Sequence, residues 1–135
     1  MAIHNVGDNS LRTMRSPLGR VRGLGSAKGG THHWWVQRVT SITLLPLTIW
    51  FALSAVSLTG ATHAETVAWI ARPWNAVLLL ATIGLSFHHT AAGVQVIIED
   101  YANQEWVKMG GILAVKAICV LLAIASALAV LKIAV

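Results

Sequence analysis

From Trp74 to Ile98 the chain runs for 25 residues without a formal charge. At about 1.5 Å per helical residue, a stretch of that length crosses the roughly 30 Å hydrocarbon core of a bilayer. Lipid satisfies no backbone polar group, so a segment of this kind spans as an α-helix. Near its middle stand His88 and His89, in the stretch F-H-H-T-A-A-G-V-Q-V-I-I-E-D-Y that ends on Asp100 and Tyr101. Ionisable side chains at that depth are costly. They face a cofactor, a partner or a water-filled path rather than lipid.

Two further apolar runs flank this one. The stretch T-H-H-W-W-V-Q-R-V-T-S at 31–41 leads into an uncharged run that continues to Thr59. The last run extends from about Trp106 to Ala134, with Lys108 at its start, Lys116 inside it and Lys132 near its end. With 11% charged residues against 56% hydrophobic and a mean hydropathy of +0.66, the chain has too few charges to coat a soluble domain. The expected architecture is therefore an all-α integral membrane protein. Its membrane domain covers 31–135, with transmembrane helices at about 37–59, 74–98 and 106–134, after a basic arm at 1–30. Trp34, Trp35, Trp69 and Trp74 fall where indoles anchor at the headgroup level. Pro46 is expected to kink the first span, and 60–73 to be a short polar connection. The single Cys119 has no intrachain partner for a disulfide and suits a small packing role.

Three spans put the termini on opposite faces. Six Lys and Arg residues lie before or at the start of the first span, Arg38 being the sixth, and Lys108 follows the second, against Arg72 and Lys132 on the other side. The positive-inside bias places the N-terminus and the 99–108 loop in the cytoplasm. The arm carries Arg12, Arg15, Arg20, Arg22 and Lys28 against Asp8 and holds no apolar run of signal-peptide length. It is expected to be retained and ordered by a partner. An Arg-rich, acid-poor start also has the composition of a mitochondrial transit peptide. The mitochondrial inner membrane therefore stands beside the bacterial cytoplasmic membrane as a location. Lipid is an expected partner and nucleic acid is not.

On a helical wheel Thr82, Ser86, His89, Gly93, Val96 and Asp100 share one face. His88 points about 100° away, with Gly84, Ala91 and Gln95. Small residues on both faces allow close approach of another helix or of a flat ring. Spacing alone leaves two readings open: polar residues that pack helices, and axial ligation of a haem iron by a neutral imidazole. Adjacent histidines diverge and cannot clasp one iron from both sides. A second ligand would come from another chain. His32 and His33 read as interfacial polar residues, Lys116 as a snorkelling cation and Tyr101 as an aromatic-belt anchor or a donor to a ligand. A small transport subunit coupling protons through its histidines, and a purely structural anchor, remain alternatives.

The pattern H-x3-G-x6-D-Y, met as His89, Gly93, Asp100 and Tyr101, and R-x-T-S, met as Arg38, Thr40 and Ser41, resemble the D-type membrane anchor subunits of succinate dehydrogenase, respiratory complex II. The resemblance covers roughly 31–135 and includes the preceding H-H-W-W-V-Q. It implies that His89 is an axial ligand of a b-type haem shared with a C-type anchor subunit, with His88 as the alternative one residue away and Gly93 in the haem groove. It implies that Tyr101 donates to a ubiquinone carbonyl beside Asp100, with Ser41 in the same pocket. Arg38 would lie near the haem propionates and the quinone, where a guanidinium pairs with carboxylate. An iron–sulfur subunit and a flavoprotein subunit would deliver electrons taken from succinate. A related fumarate reductase anchor would share most of this pattern.

Overall fold

The computed structural model describes Leu18 and residues 30–135. The basic arm expected at 1–30 lies, apart from Leu18 and Gly30, outside the described residues. Four helices follow: α1 over Gly30–Ser57, α2 over His63–Ile70, α3 over Pro73–Tyr101 and α4 over Glu105–Ala134. The helices α1, α3 and α4 have 28, 29 and 30 residues and are each long and apolar enough to cross a membrane. At 1.5 Å per residue they exceed a 30 Å hydrocarbon core, so their ends reach into the interfacial layers.

Helix α1 starts at Gly30 rather than near residue 37, because T-H-H-W-W-V-Q carries no helix breaker and continues the helix beyond the apolar run. It runs on through Pro46, whose ring nitrogen cannot donate to the carbonyl of Ile42. Past Ser57 the chain turns with amide bonds from Leu58 to the Ser54 carbonyl (3.1 Å) and from Ala61 to the Leu58 carbonyl (3.0 Å). Gly60 has φ +83°, a left-handed value that a side chain would strain.

The expected polar connection contains a helix of its own. Thr62 caps α2 through its hydroxyl, which accepts from the Glu65 amide, and the Glu65 carboxylate accepts from the Thr62 amide at 2.7 Å. This reciprocal pair satisfies two amides that a helix start otherwise leaves open. Trp69 of α2 stacks on Trp50 of α1, ring centroids 5.8 Å apart at 21°. The Asn75 side chain donates to the Trp69 carbonyl at 2.7 Å, tying α2 to the start of α3. Pro73 occupies the first turn of α3, where its missing amide is no loss.

Residues 102–104 link α3 to α4, a connection short enough to force an antiparallel pair. Gly111 of α4 faces Ile98 of α3, and a Cβ there would meet Ile98 Cδ1 at 3.4 Å, an ordinary packing contact. Helices α1 and α3 meet at two levels. Thr40 touches His89, and a Cβ on Gly93 would stand 3.3 Å from Gln37 Nε2. The residue numbers rise on one helix as they fall on the other, so this pair too is antiparallel.

Among the described residues only Thr40, Ala76 and Cys119 are buried. Large apolar side chains face outward along all three long helices, Ile42, Leu113 and Trp106 among them. A surface of this kind belongs in lipid or against another subunit. Lys116 lies on that outer surface of α4.

Candidate functional site

The inner face of α1 carries polar groups one helical turn apart: His33, Gln37 and Thr40. Thr40 is the buried polar residue among the described residues, at 8% exposure. Its Oγ1 lies 2.9 Å from the Val36 carbonyl oxygen, 3.1 Å from that of Gln37 and 2.9 Å from His89 Nδ1. Two further polar atoms on this face, His33 Nε2 and Gln37 Oε1, are buried without a hydrogen-bond partner among the described residues. Buried polar atoms are nearly always bonded, so these two stand out among the described residues.

His89 is half-buried at the crossing of α1 and α3, with Thr82, Ser86 and Gly93 half-buried on the same face. Its ring is held through Nδ1. Nε2 makes no hydrogen bond among the described residues and is not sealed off by them. His88 is exposed on α3, as is Gly84 one turn before it, while Ala91 and Gln95 are half-buried. The two histidines thus differ in environment as their spacing predicts. Gly93 faces Gln37 of α1, whose side-chain nitrogen would stand 3.3 Å from a Cβ at that position.

The remaining expected site residues lie elsewhere on the surface. Arg38 is exposed and its guanidinium sits 5.2 Å from the centre of the Trp34 ring, a cation–π pair. Ser41 is exposed and donates to the Gln37 carbonyl at 2.8 Å. Arg38 and Ser41 share one side of α1. Thr40, two residues from Arg38, leaves the helix about 160° away from it. The structure therefore separates Arg38 and Ser41 from the seam that holds His89. Asp100 and Tyr101 end α3, with Tyr101 83% exposed, and Tyr101 stands about 18 Å beyond His89 along the axis. One turn before, Gln95 donates to the Glu99 carboxylate at 2.7 Å.

Three or more His, Cys, Asp or Glu side chains placed to share a metal ion do not occur among the described residues. An iron carried in a porphyrin asks less of each chain: one axial imidazole with a free nitrogen. His89 meets that requirement. Sequence reasoning missed Gln37 and the contact made by Thr40. The signal was the recurrence of polar side chains at 33, 37 and 40, one stripe of a helix otherwise covered in apolar residues.

Three long apolar helices, two of them meeting at a polar seam, define a multi-pass membrane protein. The family described as succinate dehydrogenase/fumarate reductase transmembrane subunit matches residues 12–124, and the chain belongs to that family. It is similar to the succinate dehydrogenase hydrophobic membrane anchor subunit of Rickettsia bellii, 32% identical over 117 residues that cover 86% of this chain and 93% of the relative. The Rickettsia conorii protein of the same name is 30% identical over 82% of this chain and 89% of its own length. That of Paracoccus denitrificans is 29% identical over 64% and 67%. No solved structure matches the chain significantly.

Proposed function

We propose that the chain is the hydrophobic membrane anchor of a succinate dehydrogenase in a bacterial cytoplasmic membrane, with its N-terminus in the cytoplasm. There it holds one axial ligand of a b-type haem and forms one wall of a ubiquinone site. The reading rests above all on His89, an imidazole in mid-helix, half-buried at a crossing of two spans and held by one nitrogen while the other makes no hydrogen bond among the described residues. A b-type haem bound there supplies one-electron redox capacity inside the membrane.

The outward apolar faces of α1, α3 and α4 fit a C-type anchor subunit as neighbour, which would bring the second imidazole. The iron–sulfur subunit would sit on the cytoplasmic side, with the flavoprotein beyond it. At the end of α3 the Tyr101 phenol donates to a quinone carbonyl, and the ring packs beside the headgroup. Reduction of ubiquinone takes up two electrons and two protons. The Asp100 carboxylate, exposed at the same rim, is placed to receive protons from water and hand them on. Arg38 and Ser41 present a cation and a hydroxyl on one side of α1, where a propionate or the quinone pocket meets the partner subunit. Gly93 serves this site by letting α1 close on α3 beside the ligand.

The test is haem content per assembled complex, normalised to flavin. In His89→Ala haem is weakened or lost, and in His88→Ala it is largely retained. Equal loss in both, or loss only in the second, overturns the assignment.

A further inference from the structure

We propose that Thr40 is the positioning residue that sets the tautomer of His89, leaving Nε2 as the nitrogen with the free lone pair. The inference rests on the haem reading above and adds to it a residue on another helix. Thr40 has one hydroxyl proton and two lone pairs. Its neighbours at hydrogen-bond distance are two main-chain carbonyls of its own helix, 2.9 and 3.1 Å away, and His89 Nδ1 at 2.9 Å. A carbonyl only accepts, so a bond to Val36 or Gln37 uses the single threonine proton. The contact to His89 is then a bond only if Nδ1–H donates to Oγ1. The chain of bonds runs in one direction, from His89 Nδ1–H to Thr40 Oγ1 and from Thr40 O–H to the α1 backbone.

Two consequences follow for the imidazole. Its Nδ1 carries the proton and Nε2 is bare, which is the form that binds iron through Nε2. Donation from Nδ1–H also makes the ring a stronger electron donor and fixes its plane, as acceptors behind metal-bound histidines generally do. A ligand made more basic favours the ferric over the ferrous state. The burial of Thr40, against the exposure of its neighbours Val39 and Ser41, keeps water from competing for that bond.

The test uses the whole complex isolated from membranes, in wild type, Thr40→Val and Thr40→Ser, with the haem midpoint potential, its low-spin spectroscopic signature and its rate of loss as readouts. Valine keeps the shape and removes the acceptor. The expected result is an upward shift of the midpoint potential and haem loss roughly 10-fold faster or more, with serine restoring both. An unshifted potential in Thr40→Val overturns the inference, and so does an equal shift in Thr40→Ser, which would trace the effect to packing. Should Thr40→Val fail to assemble, hyperfine spectroscopy of the wild-type complex labelled with ¹⁵N-histidine decides the matter. A proton on the non-ligating ring nitrogen of His89 that is hydrogen-bonded to an acceptor, with couplings kept in Thr40→Ser, supports the inference, and a proton without an acceptor overturns it. A wild-type complex without haem defeats the haem reading itself, an outcome distinct from haem present with an unshifted variant.

Discussion

At the scale of single residues, burial separates side chains that serve the fold from those that serve chemistry. Tyr101 is 83% exposed and touches little of its own chain, so its removal costs the chain itself little. In Tyr101→Phe the ring remains and one neutral hydrogen bond, worth about 1 kcal/mol or a factor of about five, disappears. Succinate-dependent quinone reduction should fall by that order, while succinate oxidation by an artificial acceptor that draws electrons before the quinone persists. Both activities are measured in the same membranes; a joint fall would mean that Tyr101 acts through assembly. Gly93 is the opposite case. Alanine there gains up to about 1 kcal/mol of helix propensity and meets only the flexible end of Gln37 at 3.3 Å. Gly93→Ala is therefore expected to be close to neutral in the temperature at which the complex loses its haem, and Gly93→Leu to lower that temperature by forcing α1 off α3. A leucine variant as stable as wild type would show that the helices do not meet here. The different surroundings of His89 and His88 were legible in the sequence, since adjacent residues leave a helix about 100° apart. The partner of His89 was not, because Thr40 lies 49 residues away and a threonine in an apolar helix ordinarily bonds its own backbone.

At the scale of elements, the long helices were readable because their signal is a run without charge, and lipid imposes that pattern directly. Their ends were less readable, since α1 extends through interfacial residues that carry no apolar signal. Helix α2 was missed although its start is written in T-H-A-E at 62–65, a threonine followed three residues later by glutamate. Eight residues inside a polar connection show too little periodicity to draw attention. The Glu65 carboxyl lies below its ordinary value of 4.5, first because it accepts from the Thr62 amide and then from the Thr62 hydroxyl. A carboxyl lowered on folding contributes stability that is present above the ordinary value and is lost as pH falls through the folded one. Amide exchange in α2 should thus be slow near neutral pH and, corrected for the intrinsic rate, speed up below about pH 4.5. Thr62→Ala, which removes a cap worth about 1 kcal/mol, should speed it at all pH values. Exchange in α2 that is indifferent to both changes would mean that Trp69 on Trp50 and Asn75 on Trp69 hold the helix without its cap.

At the scale of the whole molecule, three spans and a biased charge distribution predict an orientation that labelling can check. Single cysteines placed at Ala64 and at Asn103 lie on opposite faces of the bundle, while Cys119 is buried. A membrane-impermeant thiol reagent added to intact spheroplasts should modify Ala64→Cys and spare Asn103→Cys, and inverted vesicles should reverse the pattern. The opposite result would place the Tyr101 end of α3 outside the cell, away from any cytoplasmic electron donor. Fold and orientation follow from bulk properties of the chain, whereas the polar seam depends on a few side chains in register across two helices. That division bears on how such a protein changes over evolutionary time. With only three buried residues among those described, most of its surface is left for lipid or another subunit. Where it meets lipid, hydrocarbon rewards apolarity without demanding a shape. Leucine, isoleucine and valine can replace one another at those positions with little consequence. Substitutions can accumulate there quickly while the bundle and its orientation persist. Kinship among such chains then survives mainly in the few polar positions where two helices must recognise each other.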